Sequence, residues 1–329
     1  MKIDRYIMFN IKQITKGNNM NNLKKVGLTA LGTALVATSA TAADYSISGT
    51  SSVTFNGRDN NDTGNGWSMS DSVTFSASGE MDNGMTVTHT YEVDGGAQGF
   101  HAVKVDTGDF GTLTFVGGSS TTVIGSWDDL TPTANEEAHG VTVGGTVAGA
   151  ANGTANTTKI FTYSYEVADG ITFNAGYSPS EGTAAVESSM DYGVKYTGME
   201  GLTVYAAMGE NNDSSNGVDN SALAVIYAMG GLTVGYQVNE SDYSTGTSDE
   251  DFTAIGVSYA VSDDLSVSLN SSTIDFESST LDDQEATGVS FSYTSGGMTI
   301  SGSHSNIDNV GGTSTTDNSG YELNFKFAF

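Results

Sequence analysis

The last nine residues of the chain alternate strictly between apolar and polar side chains until the penultimate position. The apolar set consists of Tyr321, Leu323, Phe325, Phe327 and Phe329, and the intervening positions begin with Glu322, Asn324 and Lys326. In a β-strand this alternation places every aromatic ring on one face and the polar groups on the other. The sequence therefore predicts a terminal strand with one apolar face, packed inward in a soluble sandwich or turned outward to lipid in a barrel.

The composition favours a fold made of many short strands. The 329 residues include 42 glycines, two prolines and no cysteine, which suits strands joined by tight turns. No stretch after the amino-terminal region approaches the ~18 apolar residues of a membrane helix, although a barrel strand carries only about ten alternating residues. The lack of cysteine excludes disulfides, thiolate metal sites and thiol catalysis.

The amino terminus has the pattern of a secretory signal. Lys24 and Lys25 precede an apolar run of small residues, and Ala40-Thr41-Ala42 supplies a small-x-small cleavage pattern. We therefore predict a signal peptide over residues 20–43 and an upstream extension over residues 1–19. A single membrane anchor is the alternative, but the run is short and rich in Gly, Thr and Ala.

Removal of that region makes the chain strongly acidic. Five basic residues remain against 38 acidic ones, a formal charge of −33. A surface of this sign repels nucleic acid, so we exclude DNA and RNA as partners.

A short phrase recurs through the rest of the sequence and predicts tight turns. It consists of turn-forming residues, an apolar residue, Thr or Ser, and a second apolar residue. It occurs at residues 83–87, 110–115 (as a variant), 169–173, 200–204, 230–234, 263–267 and 296–300. The last four occurrences are spaced by 30, 33 and 33 residues, about the length of two strands and a longer loop.

These seven hairpins predict fourteen strands, and a first strand near residues 44–56 and the terminal strand raise the number to sixteen. An even number of strands allows the first and last to pair, which removes the sheet edge. We therefore predict an all-β fold: a 16-stranded antiparallel transmembrane β-barrel over residues 44–329, with short turns at one rim and long loops at the other. The alternative is a soluble, glycine-rich sandwich or solenoid.

One of the turn phrases carries a family resemblance. Phe110-Gly111-Thr112-Leu113-Thr114-Phe115-Val116-Gly117 precedes a long loop and, together with the signal peptide and the terminal Phe329, resembles the general trimeric porins of proteobacteria, in particular the alpha-proteobacterial type. Gly118 and Ser119 follow this phrase where many relatives carry an arginine.

The resemblance implies several properties of the protein. It implies an outer-membrane location, short periplasmic turns, a homotrimer, and a third loop (about 117–157) that folds into the barrel and narrows it. The function it implies is passive diffusion of ions and small hydrophilic solutes. It also implies that Phe329 belongs to the assembly signal read by the barrel-assembly machinery.

Four carboxylates in the third loop are the predicted pore constriction: Asp128, Asp129, Glu136 and Glu137. In the resembling porins this loop lines the narrowest part of the channel. Lumen carboxylates attract cations and disfavour anions, and low-dielectric walls focus their field. The alternative is an ordinary solvated acidic loop.

Strand parity also predicts which charged residues line the pore wall. If the apolar set faces lipid, six charged residues point into the lumen: Lys104, Lys195, Lys326, Glu92, Glu166 and Asp191. A lysine at mid-bilayer on the lipid face would cost ~2–4 kcal/mol, so this parity is strongly enforced. Pairing of the lysines with wall carboxylates, in a purely structural role, is the alternative.

The remaining motifs point away from catalysis. The four histidines lack metal-ligand spacing, and no serine lies in a Gly-x-Ser-x-Gly context with a plausible His and acid. We therefore expect that the protein has no cofactor and no enzymatic activity. Acidic runs at Asp249-Glu250-Asp251 and Asp282-Asp283 could bind divalent cations that bridge to lipopolysaccharide phosphates, or could simply be solvated. The second function hypothesis is a secreted or surface-attached β-rich adhesin.

Overall fold

The computed structural model describes residues 44–58, 65–118, 122–140, 159–180, 182, 187–212, 217–244 and 249–329. The predicted signal peptide and upstream extension lie outside these residues, as do residues 119–121 and 141–157 of the predicted third loop.

The described residues form a closed antiparallel barrel of sixteen strands in which each strand pairs with its neighbours in sequence and β1 pairs with β16. The strands are β1 (Asp44–Arg58), β2 (Trp67–Glu80), β3 (Thr86–Asp94), β4 (Ala97–Asp106), β5 (Thr112–Gly118), β6 (Ile160–Ala168), β7 (Ile171–Ser178), β8 (Ser189–Met199), β9 (Leu202–Asn211), β10 (Val218–Met229), β11 (Leu232–Tyr243), β12 (Glu250–Ala260), β13 (Leu265–Phe276), β14 (Gln284–Ser295), β15 (Met298–Asp308) and β16 (Asn318–Ala328). One helical turn, α1 (Val123–Ser126), and a 3-10 turn (Val310–Gly312) complete the elements. The prediction of a sixteen-stranded barrel is confirmed.

The terminal strand closes the barrel as predicted. Val53 of β1 lies opposite Phe325, and Phe55 lies opposite Leu323. The backbones of Gly49 and Phe329 exchange two hydrogen bonds, of 2.7 and 3.0 Å. Phe329 therefore takes part in the seam between the first and last strands.

The seven predicted turns all join consecutive strands at one rim. At the first of them Gly84 has a φ of 82°, a left-handed conformation that glycine adopts without a steric penalty. Its amide donates to the carbonyl of Met81 at 2.8 Å. The turn residues therefore fix the positions of the hairpins locally.

The opposite rim differs from the prediction of uniformly long loops. Strands β3 and β4 are joined by the two residues Gly95 and Gly96, both with positive φ. As a result β3 has nine residues and β5 seven, whereas β1 has 15. Residues 67–71 of β2 consequently extend above β3 and pair only with β1. The barrel wall is low on this side.

Several polar stretches at the long-loop rim, where the sequence predicts loops, are the outer ends of strands. Asn239 to Tyr243 belongs to β11, and Ser271 to Phe276 belongs to β13. Glu250 and Asp251, from the first of the two acidic runs, lie in β12. The side chains become polar there although the ladder of hydrogen bonds continues.

The two faces of the barrel have the reverse of a soluble protein's polarity. Outward-facing Tyr192 and Val194 are 44% and 42% exposed, whereas the inward-facing Asp191 between strands β7 and β9 is 2% exposed. A soluble sandwich would bury the apolar set, so that alternative fails. No helix among the described residues has the length and apolarity needed to cross a membrane.

Candidate functional site

Residues 122–140, the described part of the loop between β5 and β6, lie inside the barrel against its wall; we call them the inner segment. Helix α1 packs Val123 and Ile124 against Ala207 of β9 and Ala222 of β10. At the other end, Ala138 packs against Ala286 of β14. The inner segment therefore follows the lumen face from β8 to β15.

The start of the inner segment is tied to the wall by Asp191 of β8. Its Oδ2 accepts a hydrogen bond from the amide of Ile124 at 2.8 Å and another from the hydroxyl of Thr122. Asp191, predicted from parity as a pore-wall charge, does face inward. It contacts the loop and is almost entirely shielded from solvent.

Gln237 of β11 clamps the middle of the inner segment. Its Nε2 donates to the carbonyls of Trp127 (2.8 Å) and Asp128 (2.7 Å), and its Oε1 accepts from the amide of Leu130 at 2.7 Å. Asn239, two residues further along β11, donates to the same Asp128 carbonyl at 2.7 Å. These wall amides satisfy backbone groups that would otherwise be buried without partners.

Serines of the next strands continue the attachment. Ser268 of β13 accepts from the amide of Ala134 at 3.0 Å, Ser290 of β14 from the amide of Asn135 at 3.1 Å, and Ser303 of β15 from the amide of Glu136 at 3.2 Å. Each strand thus supplies one hydroxyl to one backbone amide of the loop.

Glycines on the lumen face give the inner segment its room. A Cβ at Gly193 would meet the ring of Trp127, and one at Gly235 would meet Pro132. A Cβ at Gly288 would lie 2.8 Å from the Cα of Ala138. Lumen-parity glycines in β8, β11 and β14 therefore mark the path of the loop. This signal was present in the sequence and was not used in the predictions.

The four predicted constriction carboxylates all lie on the inner segment, but in different environments. Asp129 forms an ion pair with His139, with Oδ2 and Nε2 3.0 Å apart. Burial, followed by the charge of Asp129, raises the pKa of Asp128 to about 6. Burial, followed by the charges of Glu322 and Glu137, raises the pKa of Glu136 to about 7.

The pKa of Glu137 is also raised, by burial first and then by the charge of Asp129. An acidic side chain surrounded by other carboxylates and partly removed from water holds its proton more tightly than a free one. The charge of the inner segment therefore changes close to neutral pH. His139, which takes part in this cluster, was not among the predicted site residues.

The predicted wall lysines face the lumen. The ammonium of Lys195 lies 5.3 Å from the centre of the Tyr205 ring, which packs edge-on against Trp127 of the inner segment at 5.1 Å. Lys104 and Lys326 alternate with outward-facing Val103 and Phe327, and each lies near the short-turn end of its strand. Within the described residues, none of the three lysines forms an ion pair with a carboxylate of the inner segment.

The predicted wall acids Glu92 and Glu166 bind backbone amides. Glu92 Oε2 accepts from the amide of Phe100 at 3.1 Å, where the pairing of β3 and β4 is irregular. Glu166 Oε1 accepts from the amide of Gly170 at 3.4 Å, in the turn after β6. Both carboxylates therefore have a structural contact at the wall.

The lumen face of β1, β2 and β3 is lined mainly by hydroxyl groups, a feature missed in the sequence. The set comprises Ser46, Ser48, Thr50, Ser52, Thr54, Ser68, Ser70, Ser72, Thr74, Ser76, Ser78, Thr86, Thr88 and Thr90. These strands lie away from the wall that the inner segment covers. One side of the lumen thus carries the inner segment with its carboxylates, and the facing side is lined mainly by hydroxyls, with Glu80 and Glu92 towards the ends of its strands.

The structure gives no support for a metal centre at the acidic runs of residues 249–251 and 282–283. Among the residues it describes, no group of three or more His, Asp or Glu side chains has metal-binding geometry. Asp249 instead accepts a hydrogen bond from the amide of Tyr243 at 2.7 Å. Divalent-cation binding at the acidic outer runs stays a prediction.

Comparison with known proteins identifies the family. Residues 27–282 match the family model described as Gram-negative porin. None of the curated proteins matches the chain.

Solved structures of outer-membrane proteins share the architecture. A loop L8 deletion mutant of OmpT from Vibrio cholerae superposes with a TM-score of 0.71 at 17% identity, covering 88% of this chain and 100% of that one. The in-vitro folded trimer form of OmpT from the same organism gives 0.67 at 14% identity, with 88% and 100% coverage. The anion-selective porin from Comamonas acidovorans gives 0.66 at 13% identity, again covering 88% and 100%.

Proposed function

Because the chain belongs to the family of Gram-negative porins, which places it in the bacterial outer membrane, we propose that it forms a passive, water-filled channel that prefers cations over anions. The observation that carries this proposal is the inner segment, which lies within the lumen and brings carboxylates to it. Small hydrophilic solutes and ions would be sorted by size at this segment and by charge through its field.

Charge on the described residues supports the cation preference. Asp128, Glu136 and Glu137 lie together on the inner segment, and Glu322 of β16 adds a fourth carboxylate next to Glu136. Two lumen-facing lysines border the hydroxyl wall, Lys326 opposite Ser52 and Lys104 opposite Thr88, so the cation preference rests on the carboxylates outnumbering them. The Comamonas acidovorans porin, which shares the fold, is described as anion-selective. The sign of the selectivity must therefore depend on side chains and not on the architecture.

Reversal potentials of the purified protein in planar bilayers under a KCl gradient test the proposal. We expect a potential of the sign that indicates K⁺ preference, and we expect it to shrink at high salt, because the Debye length falls from ~10 Å at 0.1 M to about 3 Å at 1 M. The variant Glu137→Gln should lower the preference. Glu285→Gln, the same change on the outward face of β14, is the matched control. A chloride preference of the wild type would refute the charge filter.

A homotrimer is part of the proposal. OmpT of Vibrio cholerae, which shares the fold, is described in a trimer form. In this chain His89 is exposed on the outward face of β3, and Asp71 is exposed on the outward face of β2 beyond the end of β3. Polar groups at these positions suit a protein neighbour better than lipid. Single-channel recordings would test the trimer, which should close in three equal conductance steps.

Divalent cations at the outer surface are a further part of the proposal. On the outward face, Asp251 of β12 lies between Glu240 of β11 and Asp275 of β13 in the cross-strand register. Like charges directly opposite each other destabilise a sheet, and a cation bridging them to lipopolysaccharide phosphates would offset the repulsion. Chelation should therefore lower the unfolding temperature of the protein in lipopolysaccharide and leave it unchanged in neutral detergent.

The adhesin hypothesis is not favoured by the family membership, and we propose that the protein is a channel and not an enzyme. Recognition of Phe329 by the barrel-assembly machinery belongs to the same proposal. It is supported by the position of Phe329 at the seam, where its backbone pairs with Gly49.

A further inference from the structure

His139 occupies an enclosed position in the inner segment. Its Nδ1 lies 3.3 Å from the hydroxyl oxygen of Ser272 of β13, and its ring packs edge-on against Phe252 of β12 with 5.7 Å between centroids. The side chains of His139 and Asp129 are 11% and 17% exposed. A pair this enclosed is screened by salt far less than a surface pair.

The charges around His139 favour its protonated form. Burial opposes the positive charge, but the hydrogen bond and charge of Asp129, with the charges of Glu137 and Asp128, outweigh it and raise the pKa of His139. The wall contributes neutral groups, Ser272 and Phe252. The cation is therefore held by the loop's own carboxylates.

The contact joins two parts of the loop that are ten positions apart in sequence. Between Asp129 and His139 the chain passes the serine anchors and carries Glu136 and Glu137. The segment is fixed on one side by its hydrogen bonds to the wall. The ion pair adds a connection within the loop itself, between the two ends of residues 129–139, which we call the arch.

We propose that His139 and Asp129 form a clasp that holds the arch of residues 129–139 in shape, so that Asp129 positions the constriction while Asp128, Glu136 and Glu137 select ions. This inference rests on the proposed channel function and refines it. His139 and Asp129 are positioning residues in this account. Loss of either should loosen the arch without removing a selecting charge.

The experiment compares single-channel currents of the full-length mature protein and its variants in planar bilayers. Asp129→Asn and His139→Gln should each raise the fraction of time spent in brief current interruptions roughly tenfold, the equilibrium effect of losing one charge-assisted hydrogen bond at the low end of its range. The double variant should be no noisier than either single variant, because the two residues make one interaction. The exchange Asp129→His with His139→Asp should restore quiet currents.

Reversal potentials separate the clasp from a selectivity role. Asp129→Asn should change the K⁺ preference much less than Glu137→Gln does. In the wild type, interruptions should become more frequent as alkaline pH deprotonates His139, and in His139→Gln this pH dependence should disappear.

The proposal is overturned if Asp129→Asn lowers the K⁺ preference as much as Glu137→Gln while its currents stay quiet, or if the two single effects add in the double variant. Heat-modifiable gel migration, unchanged in all variants, shows that the barrel is intact. A wild type that conducts nothing would instead contradict the proposed channel.

Discussion

Replacement of Gln237 by leucine is the sharpest test of how the constriction is held. Gln237 is fully buried between β11 and the inner segment. Leucine has a similar volume but can neither donate to the carbonyls of Trp127 and Asp128 nor accept from the amide of Leu130. The change therefore removes the polar clamp and leaves the barrel strand itself in place.

The magnitude follows from which loop groups lose their partner. The Asp128 carbonyl keeps the hydrogen bond from Asn239, so the Trp127 carbonyl and the Leu130 amide are the two loop groups left unsatisfied. On the wall, Asn239 Oδ1 also loses the bond from Gln237 Nε2 (2.9 Å), whether or not the loop is docked. A buried polar group without a partner costs about 1–3 kcal/mol, which gives about 2–6 kcal/mol for the pair. At ~1.4 kcal/mol per factor of ten, even the lower limit raises the population of undocked loop more than tenfold.

Single-channel recording in planar bilayers measures this effect. We expect Gln237→Leu to show a noisier open state and visits to a higher conductance, because an undocked loop narrows the lumen less. The control is Gln284→Leu. Gln284 is also buried, on the lumen side of β14, but accepts from the amide of Gly311 at 2.9 Å in a different loop. Currents of Gln237→Leu that match those of the wild type and of this control would refute the clamp.

Three other perturbations test the lipid face, the pH dependence and the seam. Phe291→Lys places a charge on the outward apolar band and should lower the free energy of unfolding by ~2–4 kcal/mol, measured by urea denaturation in lipid vesicles. Ser292→Lys, at the neighbouring lumen-facing position, should lower it much less. Equal losses in the two variants would contradict the assigned faces. Because the pKa of Glu136 is raised to about 7, K⁺ preference should rise as pH increases through neutrality, and Glu136→Gln should flatten that rise. The same raised pKa means that the folded state holds the proton more tightly, so stability should fall as pH rises from 4.5 towards 7. Deletion of Phe329 removes its backbone pair with Gly49 and should reduce the yield of folded barrel in cells; an undiminished yield would argue against the assembly signal.

The strands and their faces could be predicted because their causes are local. The alternation from Tyr321 to Phe329 assigns one face to lipid regardless of what lies elsewhere in the chain. Turn residues such as Gly84 fix hairpins over a few positions. The same kind of signal at Gly95 and Gly96 was available, and the short turn there was missed because long loops were expected throughout that rim.

The loop's attachment depends on groups that are distant in sequence. Asp191 has the parity of a pore-wall charge, yet it binds the amide of Ile124, 67 residues earlier. Asp129 carries the same formal charge as Glu137, but only Asp129 lies at ion-pair distance from His139. Side-chain type and strand parity restrict which face a residue occupies. Which partner it meets there depends on how a loop of about forty residues crosses the lumen, because hydrogen bonds and ion pairs act over a few ångströms in space and are indifferent to separation along the chain.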